Sequence, residues 1–237
     1  YVEELLRTNA GCELPCWWGI VPGETMWAEV ERFIFQMGVR TISNADSSGS
    51  VFHGTGGFDL DRRGVYNSID FWERGGVVES IRIQAQSNRP ENLEALWAYF
   101  SPEQVIATYG QPSRVWVQTF GSPNELPYGD TMAYDLWLFY DTSGFVIRYT
   151  GQAKYEPVYR LCPTFGESGN LGLKIEMYLQ SPDSPISLES LVGERMGIPE
   201  SIHSIEEAAG LSVRDFYALF TQGERPICFE TPRDIWP

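Results

Sequence analysis

Apolar positions along this chain change period several times, and each change marks an element. Between Thr25 and Gly38, Met26, Val30, Phe33, Ile34 and Met37 recur at helical spacing, with Thr25 placed to cap the start and Gly38 to end it. The period then shortens to two. Residues 51–60, 64–73 and 77–86 read as strands joined by tight turns at Asp61-Arg62-Arg63-Gly64 and Arg74-Gly75-Gly76. In the last of these, Val77, Ile81, Ile83 and Ala85 share one face while Val78, Ser80, Arg82 and Gln84 share the other. Such alternation predicts a sheet with one buried face and one mostly wet face.

The same order then recurs. A helix is expected over 91–99, with Leu93, Leu96, Trp97 and Phe100 on one side, after a short helix over 2–9 at the start of the chain. Ser101-Pro102-Glu103-Gln104 reads as a capping box with Pro at the first helical position, opening a helix that closes at Gly110. Strands at 113–120, 132–140 and 145–151 follow, the last two joined through Asp141-Thr142-Ser143-Gly144, and at 171–180 Leu171, Leu173, Ile175, Met177 and Leu179 alternate with polar or small residues. Helices followed by an antiparallel meander thus occur twice. The expected fold class is α+β: tandem helix-helix-antiparallel-meander units over 1–87 and 88–181, packed into one compact body. Beyond Pro182-Asp183-Ser184-Pro185 the pattern turns helical at 187–196, 201–209 and 212–221, where Ser212 and Asp215 form a capping box. Residues 182–237 are therefore expected to be a helical C-terminal extension ending in an extended tail from Pro226.

Charge narrows the partners. Lys plus Arg number 17 and Asp plus Glu 32, a formal net charge of -15, so the phosphate attraction that dominates non-specific nucleic-acid binding would be repulsion here. An anionic bilayer surface is disfavoured for the same reason. With 43% hydrophobic residues the chain has material for a core, and no apolar run approaches the length of a membrane span. It starts at Tyr1 rather than Met and carries four cysteines. Neither a zinc pattern nor a Cys-x-x-Cys redox motif is present, so the expectation is two disulfides in an exported chain whose leader has been removed. Three connectivities are open; loop-closure reasoning favours Cys12 with Cys16 and Cys162 with Cys228, and four buried free thiols in a cytosolic protein are the alternative. The absence of an Asn-x-Ser/Thr sequon gives no support to a eukaryotic secretory origin, so a bacterial cell-surface or extracellular location is expected. A lipid anchor on a segment preceding Tyr1 is left open.

Two stretches carry a resemblance. Gln104 to Pro112, QVIATYGQP, resembles the capped-helix, Gly-x-Pro signature of the small outer-membrane-assembly lipoproteins (the SmpA/OmlA type), which share a helix-helix-sheet unit with beta-lactamase inhibitory protein. In the first half, Pro22-Gly23-Glu24-Thr25 and Glu29-Val30 resemble the opening of that signature, but the helix runs on to Gly38 with no Pro after it. Leu14 to Thr25, LPCWWGIVPGET, resembles a segment of uncharacterised exported or lipid-anchored bacterial proteins. The resemblance implies a fold used for protein binding and assembly and brings no catalytic residues with it.

Candidate chemistry is sparse. His53 and His203 are the only histidines and read as structural or surface residues; Gly166-Glu167-Ser168-Gly169 lacks the spacing of a nucleophile elbow, and Gly54-Thr55-Gly56-Gly57 reads as a bulged strand. Asp70 and Glu73 beside Trp72, or Asp135 beside Trp137, are the pairs a carbohydrate-active site could use, against a plainer reading as solvated carboxylates on the wet face. Asp59, Asp61, Asn67 and Asp70 faintly echo a calcium loop, with Arg63 at a ligand position. Trp17 and Trp18, adjacent in a loop, are not expected both to bury fully. Together with Trp72, Trp116, Tyr128 and Trp137 they form a candidate partner-binding set, and the loop 121–131 is a further binding element. Arg outnumbers Lys 15 to 2, favouring planar contacts. The expected function is a non-catalytic module without a cofactor that binds a protein partner or self-assembles. A carbohydrate-binding protein and an inhibitor of a secreted hydrolase are the alternatives.

Overall fold

The computed structural model describes residues 2–38, 41–45, 50–55, 58–59, 64–87, 89–120, 131–154, 157–165, 171–196, 201–223 and 226–236. It is a mixed structure in which strands dominate. The helices are α1 (Val2–Thr8), α2 (Trp27–Gln36), α3 (Pro90–Trp97), α4 (Pro102–Tyr109), α5 (Leu188–Met196), α6 (Ile205–Ala209) and α7 (Val213–Gln222). The strands are β1 (Thr41–Ala45), β2 (Ser50–Thr55), β3 (Phe58–Asp59), β4 (Val65–Arg74), β5 (Val77–Ser87), β6 (Arg114–Phe120), β7 (Thr131–Tyr140), β8 (Phe145–Lys154), β9 (Val158–Leu161), β10 (Leu171–Gln180), β11 (Ile202–Ser204) and β12 (Phe229–Pro232).

One antiparallel sheet runs in the order β1-β2-β4-β5-β10-β8-β7-β6-β11, with β3 on β4; β9 and β12 pair separately. The strands of the first half follow chain order to β5, those of the second run back from β10, and the halves meet where β5 pairs with β10 from Ser80↔Gln180 to Gln86↔Lys174. Turn chemistry sets the hairpins. Gly75 and Gly76 both adopt positive φ (63° and 86°), as a two-residue turn between right-twisted strands demands. Gly144 ends the β7–β8 turn at φ 72°, where a Cβ would lie 2.4 Å from the Gln180 carbonyl oxygen, so a side chain is barred by both dihedral and space.

The first face of the sheet carries the main core. Ile69, Phe71, Ile81, Ile83, Ile175, Met177, Ile147, Tyr149, Leu136 and Val117 pack against Leu6 of α1, Val30 and Ile34 of α2, Leu93, Leu96 and Trp97 of α3, Ile106 of α4, Ala208 of α6 and Phe216 of α7. α2 and α7 thus bury the centres of their expected stripes, Val30 with Ile34 and Phe216, while Phe33, Tyr217 and Phe220 are partly buried and Met26 stays exposed. Of the polar atoms that enter this layer, the Tyr149 hydroxyl donates to the Phe100 carbonyl at 2.8 Å, whereas the indole nitrogens of Trp17 and Trp97 are buried without a hydrogen-bond partner among the described residues.

Several local expectations are corrected. Met26, not Thr25, occupies the cap of α2, because the Thr25 hydroxyl instead accepts from the Val21 amide at 2.8 Å. Ser101 caps α4 by accepting from the Gln104 amide, but the Gln104 side chain turns to Thr108, so the capping box is half formed. A bulge at Glu79 shifts the register, pairing Trp72 with Ser80 and Glu73 with Val78. Val78 rather than Val77 therefore joins Ile81 in the core. The strand expected over 51–60 is two pieces, β2 and β3. The helix expected over 201–209 begins as β11, and α6 starts only where Ser204 and Glu207 close a capping box. The tail is not simply extended: β12 pairs with β9, from Phe229↔Leu161 to Pro232↔Val158, next to the Cys162–Cys228 disulfide. The other bond joins Cys12 to Cys16.

Trp17 and Trp18 are both core residues, contrary to expectation. Asn9, itself fully buried, explains how. Its side-chain amide donates to the carbonyls of Cys12 and Cys16 at 2.7 and 2.8 Å, and its carbonyl accepts from the Trp18 amide at 3.0 Å. One side chain thus replaces the backbone partners that a disulfide-closed turn cannot supply. Trp18 takes φ 55° and donates its indole N–H to the Leu5 carbonyl, while Trp17 stacks on Trp97 with centroids 5.8 Å apart.

Candidate functional site

The second face of the sheet divides in two. Toward one end, Phe139, Val146 and Tyr178 occupy register positions across β7, β8 and β10, and with Trp137 they pack under Leu188, Leu191 and Val192 of α5. Toward the other, the same strands turn polar, and a chain of ion pairs crosses five neighbouring strands from β4 to β7. Asp70 lies 3.5 Å from Arg82, Arg82 is 2.7 Å from Glu176, and Glu176 is 3.1 Å from both Arg148 and Lys174. Arg148 then pairs with Asp135, which also accepts from Thr150 at 2.6 Å. Three carboxylates thus meet three cations, so the row is neutral within a chain of net charge -15.

Two of those carboxylates are wholly buried, Glu176 and Asp135 at 0% exposure, which corrects the reading of Asp135 as a solvated group. Removing a charge from water costs several kcal/mol and is offset only by good geometry with several partners. Glu176 has that geometry: burial pushes its carboxyl up, but Lys174, Arg82 and Arg148 outweigh burial and hold it below the usual range. Asp135 has less, and burial raises its carboxyl above the usual range despite Arg148 and Thr150. Asp70 is raised as well, by burial first, with Arg82 pulling down and Glu176 pushing up. The guanidiniums also lie over rings, Arg148 at 4.9 Å from Trp137 and Arg114 at 4.4 Å from Phe139 and 5.3 Å from Trp116.

The candidate aromatics are not brought together. Trp17 and Trp18 lie in the first-face core and offer no surface to a partner. Trp137 is buried under α5, and Trp72 is buried beside Phe52 near the β1 end of the sheet. Trp116 is half-buried on the second face, and Tyr66, which the sequence pattern did not single out, is exposed on the same face. Tyr128 and the loop 121–130 lie outside the described residues. The proposed carboxylate pair Asp70 and Glu73 is split: Asp70 faces the ladder, whereas Glu73 points to His53 on the first face. Of the calcium-loop residues, Asn67 is buried and donates to the Val65 carbonyl, and Asp61 lies outside the described residues.

A second cluster, at the β1 end of the first face, was not anticipated. Ser43 and His53 are register partners across β1 and β2, and Glu73 on β4 stands one pleat along from the residue opposite His53. His53 Nδ1 is 2.8 Å from Ser43 Oγ, and Nε2 is 3.4 Å from Glu73 Oε2. The other oxygen of Glu73 accepts from the Gly76 amide in the β4–β5 turn. That turn also seats α2: the Trp27 amide donates to the Gly76 carbonyl at 2.8 Å, and the indole of Trp27 stacks on the imidazole with centroids 3.6 Å apart. One hairpin therefore positions both the carboxylate and the aromatic wall around a nearly buried histidine. The three residues lie ten and twenty positions apart, so only the strand register reveals them.

Among the described residues, no group of three or more His, Cys, Asp or Glu is arranged to hold a metal ion, and no helix is long and apolar enough to cross a membrane. No family model, curated protein or solved structure matches this chain.

Proposed function

We propose that the chain is an exported bacterial module that binds a protein partner through the part of the second sheet face that α5 leaves uncovered, without performing chemistry there. In this reading residues 1–87 and 88–181 are two copies of one helix-plus-meander unit joined at β5–β10, and 182–237 is an extension that contributes α5 to the binding side. The observation that carries it is the ladder from Asp70 to Asp135. Its charges are already paired with one another, so a partner that covers it does not strip water from isolated ions, and the rigid row is flanked by Trp116, Arg114 and Tyr66, residue types enriched at interface hot spots. Two disulfides are consistent with an oxidising, exported location.

The resemblance to envelope-assembly lipoproteins and to an inhibitor supports a protein partner over a glycan. The glycan reading has less support because Trp137 and Asp135 are buried and Asp70 and Glu73 face opposite sides. The test is co-purification from the native source with defined variants. Tyr66→Glu with Trp116→Glu is expected to release the partner, whereas Glu31→Arg on exposed α2 surface leaves it bound. Retention by the double variant sinks the assignment of this face, and saturable tryptophan quenching by a glycan would replace the protein partner with a sugar.

A further inference from the structure

The binding reading makes no use of Ser43, His53 and Glu73, on the opposite face and at the far end of the sheet. Protonation roles there follow from the donor inventory. An ionised Glu73 can only accept, so the Nε2 it contacts carries the hydrogen; in the neutral ring Nδ1 is then an acceptor, and the Ser43 hydroxyl must donate to it. A hydroxyl that donates to an imidazole whose other nitrogen is held by a carboxylate is the arrangement of an activated nucleophile. Three further features fit. Ser43 is exposed while His53 is nearly buried, so the nucleophile is reachable and its base is shielded. Glu73 is fixed by the Gly76 amide and the ring by Trp27. β1 is the edge of the sheet among the described residues, and an edge strand leaves alternate backbone N–H groups unpaired, donors that an oxyanion can use.

We propose that Ser43 is an acyl-accepting nucleophile, with His53 as its base and Glu73 as the positioning residue, and that the substrate class is a small carboxylic ester approached from the β1 edge. As Ser43 Oγ bonds to the ester carbonyl carbon, its proton passes to His53 Nδ1. Collapse of the tetrahedral oxyanion breaks the carbon–alkoxy bond, and the Nδ1 proton leaves with the alcohol. Water then attacks the acyl-serine, giving its proton to Nδ1; the carbon–Oγ bond breaks, Oγ regains the proton, and the acid departs. Ester and water become alcohol and carboxylic acid, with no other reactant.

The full chain is treated with an alkyl fluorophosphonate, and separately with p-nitrophenyl acetate. Peptide mass analysis is expected to place the phosphonyl group on Ser43. Ser43→Ala removes the label and the ester turnover without changing the near-UV circular dichroism, because the side chain is exposed. His53→Gln is expected to slow both reactions by about 100-fold or more, the usual contribution of a positioned general base, and Glu73→Gln to lower kcat while KM holds. Absence of label from Ser43 overturns the proposal, as does labelling of a folded His53→Gln at the parent rate. If His53→Gln loses its near-UV signal, the Ser43→Ala comparison decides alone: unchanged turnover overturns the proposal. None of these readouts involves Tyr66 or Trp116, so they are independent of partner binding.

Discussion

The two faces of the sheet are made by alternate residues of the same strands, yet they are held in different ways. On the first face, Ile175, Met177 and Leu179 of β10 meet helices whose apolar stripes cover them, and stabilisation accumulates atom by atom with buried area. On the second, Glu176 of the same strand meets Lys174, Arg82 and Arg148, and the contribution depends on every partner being present. An apolar layer tolerates loss in proportion to volume. A buried ion row does not, because whichever charge remains is left without compensation.

Substitutions can disrupt either face separately. The largest effect is expected for Trp97→Ala, which empties a site where Trp17 stacks on the indole and Phe100 packs at a tilt; a loss of about 3–5 kcal/mol should appear as a lower denaturant midpoint with unchanged slope. Glu176→Ala should cost a similar ~3–5 kcal/mol although it removes far less apolar surface, since Lys174 loses its carboxylate and Arg82 and Arg148 keep only Asp70 and Asp135 of the row's carboxylates, which leaves a row that is neutral with Glu176 carrying an excess cation. Replacing the buried charges together, as Arg82→Met, Arg148→Leu, Glu176→Leu and Asp135→Leu, should recover much of that loss, whereas keeping Asp135 would leave a wholly buried carboxylate without Arg148; failure of the fourfold variant to recover would show that the row is valued for more than its neutrality.

A smaller effect is expected at Asp135. Its carboxyl is raised by burial, so its ionisation costs stability as pH rises through the folded value, and Asp135→Asn should resemble the parent increasingly as pH falls below that value. Glu176 has the opposite sign. Its folded value lies below the ordinary 4.5, so its contribution is present above that pH and is lost as pH falls through the depressed value. Urea melts of Asp135→Asn and Glu176→Gln from neutral to acid pH should therefore converge on the parent in that order. The smallest effect belongs to Arg114→Ala: its pairs with Asp141 and Glu189 are one-third to one-half exposed, and solvent screening limits them to under about 1 kcal/mol.

Legibility in the sequence followed the same division. β10 was readable because its apolar residues alternate strictly, β8 because the turn residues Asp141 to Gly144 precede an apolar run, and α7 because Ser212 and Asp215 announce its cap. β1, Thr-Ile-Ser-Asn-Ala, was not, since an edge strand with little buried surface has little apolar signal to give. β9 and β12 were missed because their pairing joins segments about seventy residues apart. The ladder left a trace, charged residues at the outward positions of central strands, but pairing Arg82 with Glu176 requires knowing that β5 lies beside β10. Ser43, His53 and Glu73 left none, because their spacing has meaning only once the β1–β2–β4 register is set.

That seam between β5 and β10 also orders events in time. Arg82 and Glu176 are 94 residues apart, so the hairpins on either side can form from local contacts while the join must wait for most of the chain to emerge. Loop closure over such a distance adds little to the equilibrium cost but slows the route to it. Until β10 arrives, β5 is an open edge bearing Ile81 and Ile83, an invitation to pair with another molecule. A chain crossing a membrane from its N-terminal end would expose that edge first. The interval before the seam closes is when this protein would most need a holding chaperone.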